Sequence, residues 1–169
     1  MQRSILIFPK ISDDSDIQRV RNEYDPLAAH IRPHISLVFP FESSATDADI
    51  KAAIMMATNG YKPFEIQTTK LGGDDQGYLW LALTQGVNEL RKLHETLYQN
   101  PLFTSFLRAD IPYEPHITVA HVNSERQKQV RQQLTAMQLK LTAVIDQISV
   151  EHILLNGDSE EVIKVPLRS

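Results

Sequence analysis

The 169-residue sequence predicts an α+β protein made of two small lobes related by internal duplication, and three observations carry that prediction. A pattern of Pro, His, apolar, hydroxyl, apolar occurs twice, as Pro33-His34-Ile35-Ser36-Leu37 and as Pro115-His116-Ile117-Thr118-Val119. The two histidines are 116 − 34 = 82 residues apart, close to half the chain. Short apolar and β-branched runs alternate with stretches of helical periodicity, in the order β-α-β-α-β-β-α-β-α-β-β. Each histidine pattern falls on a predicted strand that leads into a predicted helix, so the two halves share one order of elements. Residues 1–169 are read as one bilobed domain, and a chain of this length buries roughly 70% of its unfolded surface.

The elements follow in order. Ser4–Phe8 is a short apolar run closed by Pro9, as expected of a buried strand. Asp and Ser residues then open an amphipathic helix with Ile17, Val20 and Tyr24 at helical spacing, ending before Pro26. His34–Phe39 is the next strand. Thr46 is the N-cap candidate of a helix with an Ile50, Ala53, Ile54, Ala57 stripe, terminated near Gly60. Phe64–Gly72 and Gly77–Thr84 flank a Gly-Asp turn signal and form a hairpin, in which Tyr78 and Trp80 read as core residues. A helix with Leu90, Leu93 and Leu97 inward follows, then the strand His116–Val122, then a helix with Ser124 as its cap. Lys140–Asp158 and Glu160–Leu167 close the chain as strands around an Asn156-Gly157-Asp158 turn.

Composition narrows the chemistry. There is no cysteine, which excludes disulfides, thiolate zinc sites and cysteine nucleophiles together. Seventeen basic and 21 acidic residues leave a net charge of −4, without the basic surplus that gripping a long nucleic-acid tract requires. A nucleic-acid role is therefore focal: a nucleotide or an RNA end. The apolar run Ile5–Phe8 is too short for a signal-peptide core, and no stretch approaches the roughly 20 apolar residues of a membrane span. The expectation is a soluble cytoplasmic protein with no membrane partner.

The repeated pattern carries the functional signal. Strand side chains alternate faces, so His34 and Ser36 share one face while Ile35, Leu37 and Phe39 share the other. His116 and Thr118 are likewise set against Ile117 and Val119. If the two lobes face each other, two imidazoles and two hydroxyls line one cleft. A neutral imidazole can activate water while a protonated one delivers a proton to a leaving oxygen. Ser36 and Thr118 can hydrogen-bond the non-bridging oxygens of a phosphate held between them. Such a set cleaves a phosphodiester with no metal or cofactor, and its activity follows a bell centred between about pH 6 and 8. A protein that binds the same ligand without turning it over would use the same cleft. A metal site on His34 and His116 fits less well, because serine and threonine are poor ligands and no carboxylate repeats with the motif.

The tetrapeptides His34-Ile35-Ser36-Leu37 and His116-Ile117-Thr118-Val119, on strands of a duplicated α+β chain, resemble the motifs of the 2H phosphoesterase superfamily. That group includes 2′-5′ RNA ligase-like proteins and cyclic nucleotide phosphodiesterases, and Pro40-Phe41-Glu42 resembles its small bacterial branch. The resemblance implies two pseudo-symmetric lobes, each an antiparallel sheet with helices outside, around a central cleft. It also implies metal-independent cleavage, or its reversal, at 2′,3′-cyclic phosphates or 2′-5′ bonds. His34 and His116 take the catalytic positions in that comparison. One position departs: RNA-ligase-like members often carry arginine five residues after the second histidine, where this chain has His121.

Other residues are set aside. By strict alternation His121 lies on the face opposite His116. Lys10 and Arg32 read as surface charges, and Phe39 and Tyr113 as core aromatics. His94 precedes Glu95 without the spacing of a zinc-binding helix. No partner for His30 or His152 is visible in the sequence.

Overall fold

The structure, a computed structural model, describes residues 1–168. Its strands are β1 (Gln2–Ile7), β2 (Lys10–Ile11), β3 (Ile35–Glu42), β4 (Phe64–Gly73), β5 (Tyr78–Gln85), β6 (His116–His121), β7 (Leu141–Ile145), β8 (Gln147–Ile153) and β9 (Ser159–Pro166). Its α-helices are α1 (Ser15–Tyr24), α2 (Asp47–Ala57), α3 (Val87–Gln99) and α4 (Ser124–Met137). One sheet has the order β3-β1-β8-β9, the other β2-β7-β4-β5-β6, and every pairing is antiparallel.

Local chemistry accounts for most of these boundaries. Thr46 closes a full capping box, its hydroxyl accepting from the Asp49 amide while the Asp49 carboxylate accepts from the Thr46 amide. Leu90, Leu93 and Leu97 are all fully buried, as the helical spacing requires. Helix α4 is capped one residue earlier than expected: the Asn123 carboxamide, not Ser124, accepts from the Arg126 amide. Helix α1 has Asp14 at its N-cap, but that side chain makes no capping bond.

Two features escaped the sequence. The run read as one strand from Lys140 is cut at Asp146, where the chain leaves one sheet as β7 and enters the other as β8. The Asp146 carbonyl accepts from the Leu167 amide at 2.7 Å, and its carboxylate pairs with the Lys10 ammonium. The two-residue strand β2 pairs with β7 and was not anticipated.

The lobes are interleaved. Helices α2 and α3 pack on the first sheet, against β9 and β3, whereas α1 and α4 pack on the second, against β6 and β4. Each motif strand lies beside the strand that precedes it by one helix, β3 beside β1 and β6 beside β5, and the intervening helix covers the opposite sheet. The buried apolar residues form one continuous cluster, from Ile5, Val38 and Ile148 of the first sheet to Ile66, Leu81 and Ile117 of the second.

Candidate active site

The motif strands β3 and β6 are edge strands of their sheets, and they pack against each other. An edge strand leaves backbone groups unpaired, and here side chains from the other half of the chain satisfy them. The Tyr113 hydroxyl donates to the Ser36 carbonyl at 2.9 Å, and His94 Nδ1 donates to the Leu37 carbonyl at 2.8 Å. The two donor rings stack on each other, with centroids 3.7 Å apart and planes 5° apart. Tyr113 precedes His116 by three residues, so one side chain ties the second motif segment to the backbone of the first.

The two motifs share an irregularity as well as a sequence. In β3, Leu6 pairs with Ser36 and the next residue back, Ile5, pairs with Val38, leaving Leu37 as an extra residue. In β6, Trp80 pairs with Thr118 and Leu79 with Ala120, leaving Val119 extra. Each bulge therefore falls on the fourth residue of its tetrapeptide, and beyond it the alternation reverses. This corrects two expectations. Phe39 does not share the core face of Ile35 and is only half-buried. His121 does not oppose His116: its cross-strand partner is Tyr78, Thr118 pairs with Trp80, and Tyr78 and Trp80 share a face of β5.

Around each histidine the geometry repeats. His34 Nδ1 donates to the Arg32 carbonyl at 2.9 Å, and His116 Nδ1 donates to the Glu114 carbonyl at 2.7 Å, each bond reaching back two residues. A carbonyl only accepts, so Nδ1 carries the proton and the neutral ring keeps its lone pair on Nε2. His34 and Ser36 flank the buried Ile35, and His116 and Thr118 flank the buried Ile117; all four site side chains are half-buried. Among the described residues neither the Ser36 nor the Thr118 hydroxyl has a hydrogen-bond partner, which leaves both available to a ligand.

Burial lowers the pKa of both imidazoles from the usual 6.5. At His34 the Arg32 carbonyl and the Glu151 charge oppose that shift, while Arg21 adds to it. At His116 the Glu114 carbonyl opposes it, and positive charge on His34 reinforces it, so the two rings lie within electrostatic reach of each other. Arg21 and Asp25 form an ion pair of 2.9 Å with side chains 2% and 5% exposed, a buried pair the sequence reading missed although its i,i+4 spacing is visible. Glu151, also missed, is buried on β8 and accepts from the hydroxyls of Ser4 and Ser159.

The remaining candidates are dispersed. Arg32 lies with its guanidinium 3.9 Å over the Phe8 ring and pairs with Glu161 at 3.0 Å, while Phe8 meets His34 edge-on. His30 pairs with Asp158 at 2.8 Å, and His152 with Asp47 at 3.3 Å. Tyr78 and Trp80 are not core residues: they alternate with the buried Leu79, Leu81 and Leu83, an alternation that was readable in the sequence. A recess of about 420 Å³ lined by Lys51, Met55, Lys164 and Arg168 lies away from both motifs. Two recesses begin at motif-flanking residues, one of about 200 Å³ at Arg32 and one of about 360 Å³ at His121.

A family model described as the 2′-5′ RNA ligase superfamily matches residues 8–155. Curated relatives include a candidate phosphoesterase of Bacillus licheniformis, 26% identical over 163 residues that cover 93% of each chain. Another, from Staphylococcus haemolyticus, is 25% identical and spans 95% of this chain and 93% of its own length. Among solved structures, E. coli LigT complexed with 3′-AMP superposes with a TM-score of 0.62 at 16% identity, covering 99% of this chain and 98% of LigT. At that identity the likeness is one of fold.

Proposed function

This chain belongs to the 2′-5′ RNA ligase superfamily of 2H phosphoesterases, and on that premise we propose that it cleaves 2′,3′-cyclic phosphates or 2′-5′ phosphodiester bonds of nucleotides or RNA ends by paired-histidine acid/base catalysis. The observation that carries the reading is the repetition of one local geometry on two facing edge strands: Nδ1–H held by the carbonyl two residues back, Nε2 left free, a bulge three residues on. One Nε2 takes a proton from water as the water oxygen attacks phosphorus. The bond from phosphorus to the ribose oxygen breaks, and the other imidazolium protonates the departing alkoxide. Ser36 and Thr118 hold the non-bridging oxygens as negative charge builds on them.

The proposal needs no metal, since the groups beside the histidines are neutral hydroxyls rather than carboxylates. The substrate is a nucleotide or RNA terminus; LigT, whose fold this chain shares, has been solved with 3′-AMP. No helix among the described residues is long and apolar enough to cross a membrane, and the proposal places the enzyme in the cytoplasm.

The test is a panel of 2′,3′-cyclic mononucleotides, 2′-5′-linked dinucleotides and tRNA-half ends, each with and without chelator. Turnover of at least one class in the presence of chelator is expected. Binding without turnover would make the protein a nucleotide or RNA-end binder. Activity lost to chelator and restored by zinc or manganese would overturn the mechanism.

A further inference from the structure

The open face of the second sheet carries more aromatic surface than a phosphate site requires. Tyr78 and His121 are cross-strand partners whose rings lie 3.9 Å apart and 3° from parallel. Two residues along the same face, the Trp80 indole lies over the His116 imidazole, with centroids 4.7 Å apart and planes tilted by 30°. On the far side of Trp80 the neighbouring strand offers Gly72, where a Cβ would come within 2.3 Å of the indole Nε1. A side chain at that position would displace the ring. Tyr78 is 37% exposed although its strand neighbour Leu79 is fully buried, so this part of the face is open to solvent. The row exists because of the bulge at Val119, which turns His121 onto the face of Thr118.

We infer that the exposed Tyr78 ring, backed by the His121 imidazole, forms a stacking wall for a nucleobase, with Trp80, packed between His116 and Gly72, linking it to the proposed phosphate position along β5 and β6. The inference rests on the phosphoesterase reading for the position of the phosphate. Trp80 stands beside His116, and Tyr78 lies two residues back along β5, about 6.6 Å away, a separation that suits the reach from a nucleotide's phosphate to its base. Aromatic faces accept any base, because every base has a π-face. The wall therefore selects nucleosidic over base-free cyclic phosphates without selecting strongly among bases. Beyond His121 the 360 Å³ recess, lined also by Asn123 and Arg126, gives a second nucleotide room on the same path.

Trp80 is the only tryptophan in the chain, so emission excited at the red edge, where its five tyrosines do not absorb, reports this wall alone. Titrating the protein with 2′-AMP or 3′-AMP is expected to quench that emission saturably and more deeply than ribose 5-phosphate, which has the phosphate and no base and acts on the indole only through the charge on His116. In kinetics, the ratio of kcat/KM for a 2′,3′-cyclic nucleotide to that for glycerol 1,2-cyclic phosphate is expected to fall about tenfold in Tyr78→Ala, and to be retained in Tyr78→Phe. No change in emission at nucleotide concentrations that inhibit turnover would overturn the wall, as would an unchanged ratio in Tyr78→Ala. Quenching by nucleotide in a protein that turns over neither substrate would leave the wall standing and remove the catalytic reading instead.

Discussion

Replacing His34 or His116 by alanine is expected to lower turnover by about 10²- to 10⁴-fold, the usual worth of a positioned acid or base. The double variant should be little worse than either single one, because the rings act on one phosphorus as a unit. Ser36→Ala and Thr118→Ala should cost less, each removing one hydrogen bond from a shared oxyanion site. Steady-state kinetics of the set checks this, and additive losses would assign the histidines to separate sites. The pH profile follows from the same residues. Burial is the leading influence on both rings and moves both pKa values below 6.5. In the free protein, the state with one ring charged and one neutral is thus populated on the acid side of 6.5, so kcat/KM should peak there, to the acid side of the centre expected from unperturbed histidines. A bound phosphate favours the imidazolium, so the kcat profile should lie more alkaline. The limbs belong to the coupled pair. A kcat/KM optimum on the alkaline side of 6.5 would be incompatible with two rings whose pKa values are both lowered.

At the scale of elements, the bulges decide what the motif strands present. Each edge strand keeps its register through one pairing partner only, β1 for β3 and β5 for β6. The end of β6 is fixed at Gly77, whose carbonyl accepts from the Val122 amide at 3.1 Å. Gly77 has φ +101°, and a Cβ there would lie 1.9 Å from the Val122 carbonyl oxygen. Gly77→Ala is expected to destabilise the protein by more than about 2 kcal/mol, through backbone strain and displacement of the strand end. A urea unfolding curve measures it. Because Val122 follows His121, the same change should also loosen the Tyr78–His121 stack. A variant as stable as the wild type would show that β6 is held from elsewhere.

At the scale of the molecule, the interleaving makes the lobes interdependent. The first half of the chain supplies α1 to the second sheet, the second half supplies α3 to the first, and the crossing at Asp146 joins the two again through β7 and β8. Neither half encloses a core by itself, since the buried cluster draws on both. The whole chain is therefore expected to unfold in one cooperative transition, with fluorescence and far-ultraviolet circular dichroism giving coincident midpoints. A fragment of residues 1–85 should show no cooperative transition. Two separated transitions, or a folded fragment, would mean that the lobes are independent units. This arrangement also brings the two motif strands edge to edge, although 82 residues separate their histidines.

The sequence by itself determined the local elements and the chemical vocabulary. The Thr46 N-cap, the Leu90, Leu93 and Leu97 stripe and the β4–β5 hairpin depend on residues within a few positions of one another, so periodicity and turn chemistry reveal them. The paired motif was legible for another reason: a duplicated pattern is visible without any knowledge of what lies between its copies. Only the tertiary structure decided the sheet memberships, the break at Asp146, the partners of His30 and His152, and the face on which His121 lies. A bulge is a mismatch in count between two strands, so it has no signature in either strand alone. The alternation that correctly set His34 beside Ser36 therefore failed three residues further on, where β1 and β5 impose their own register.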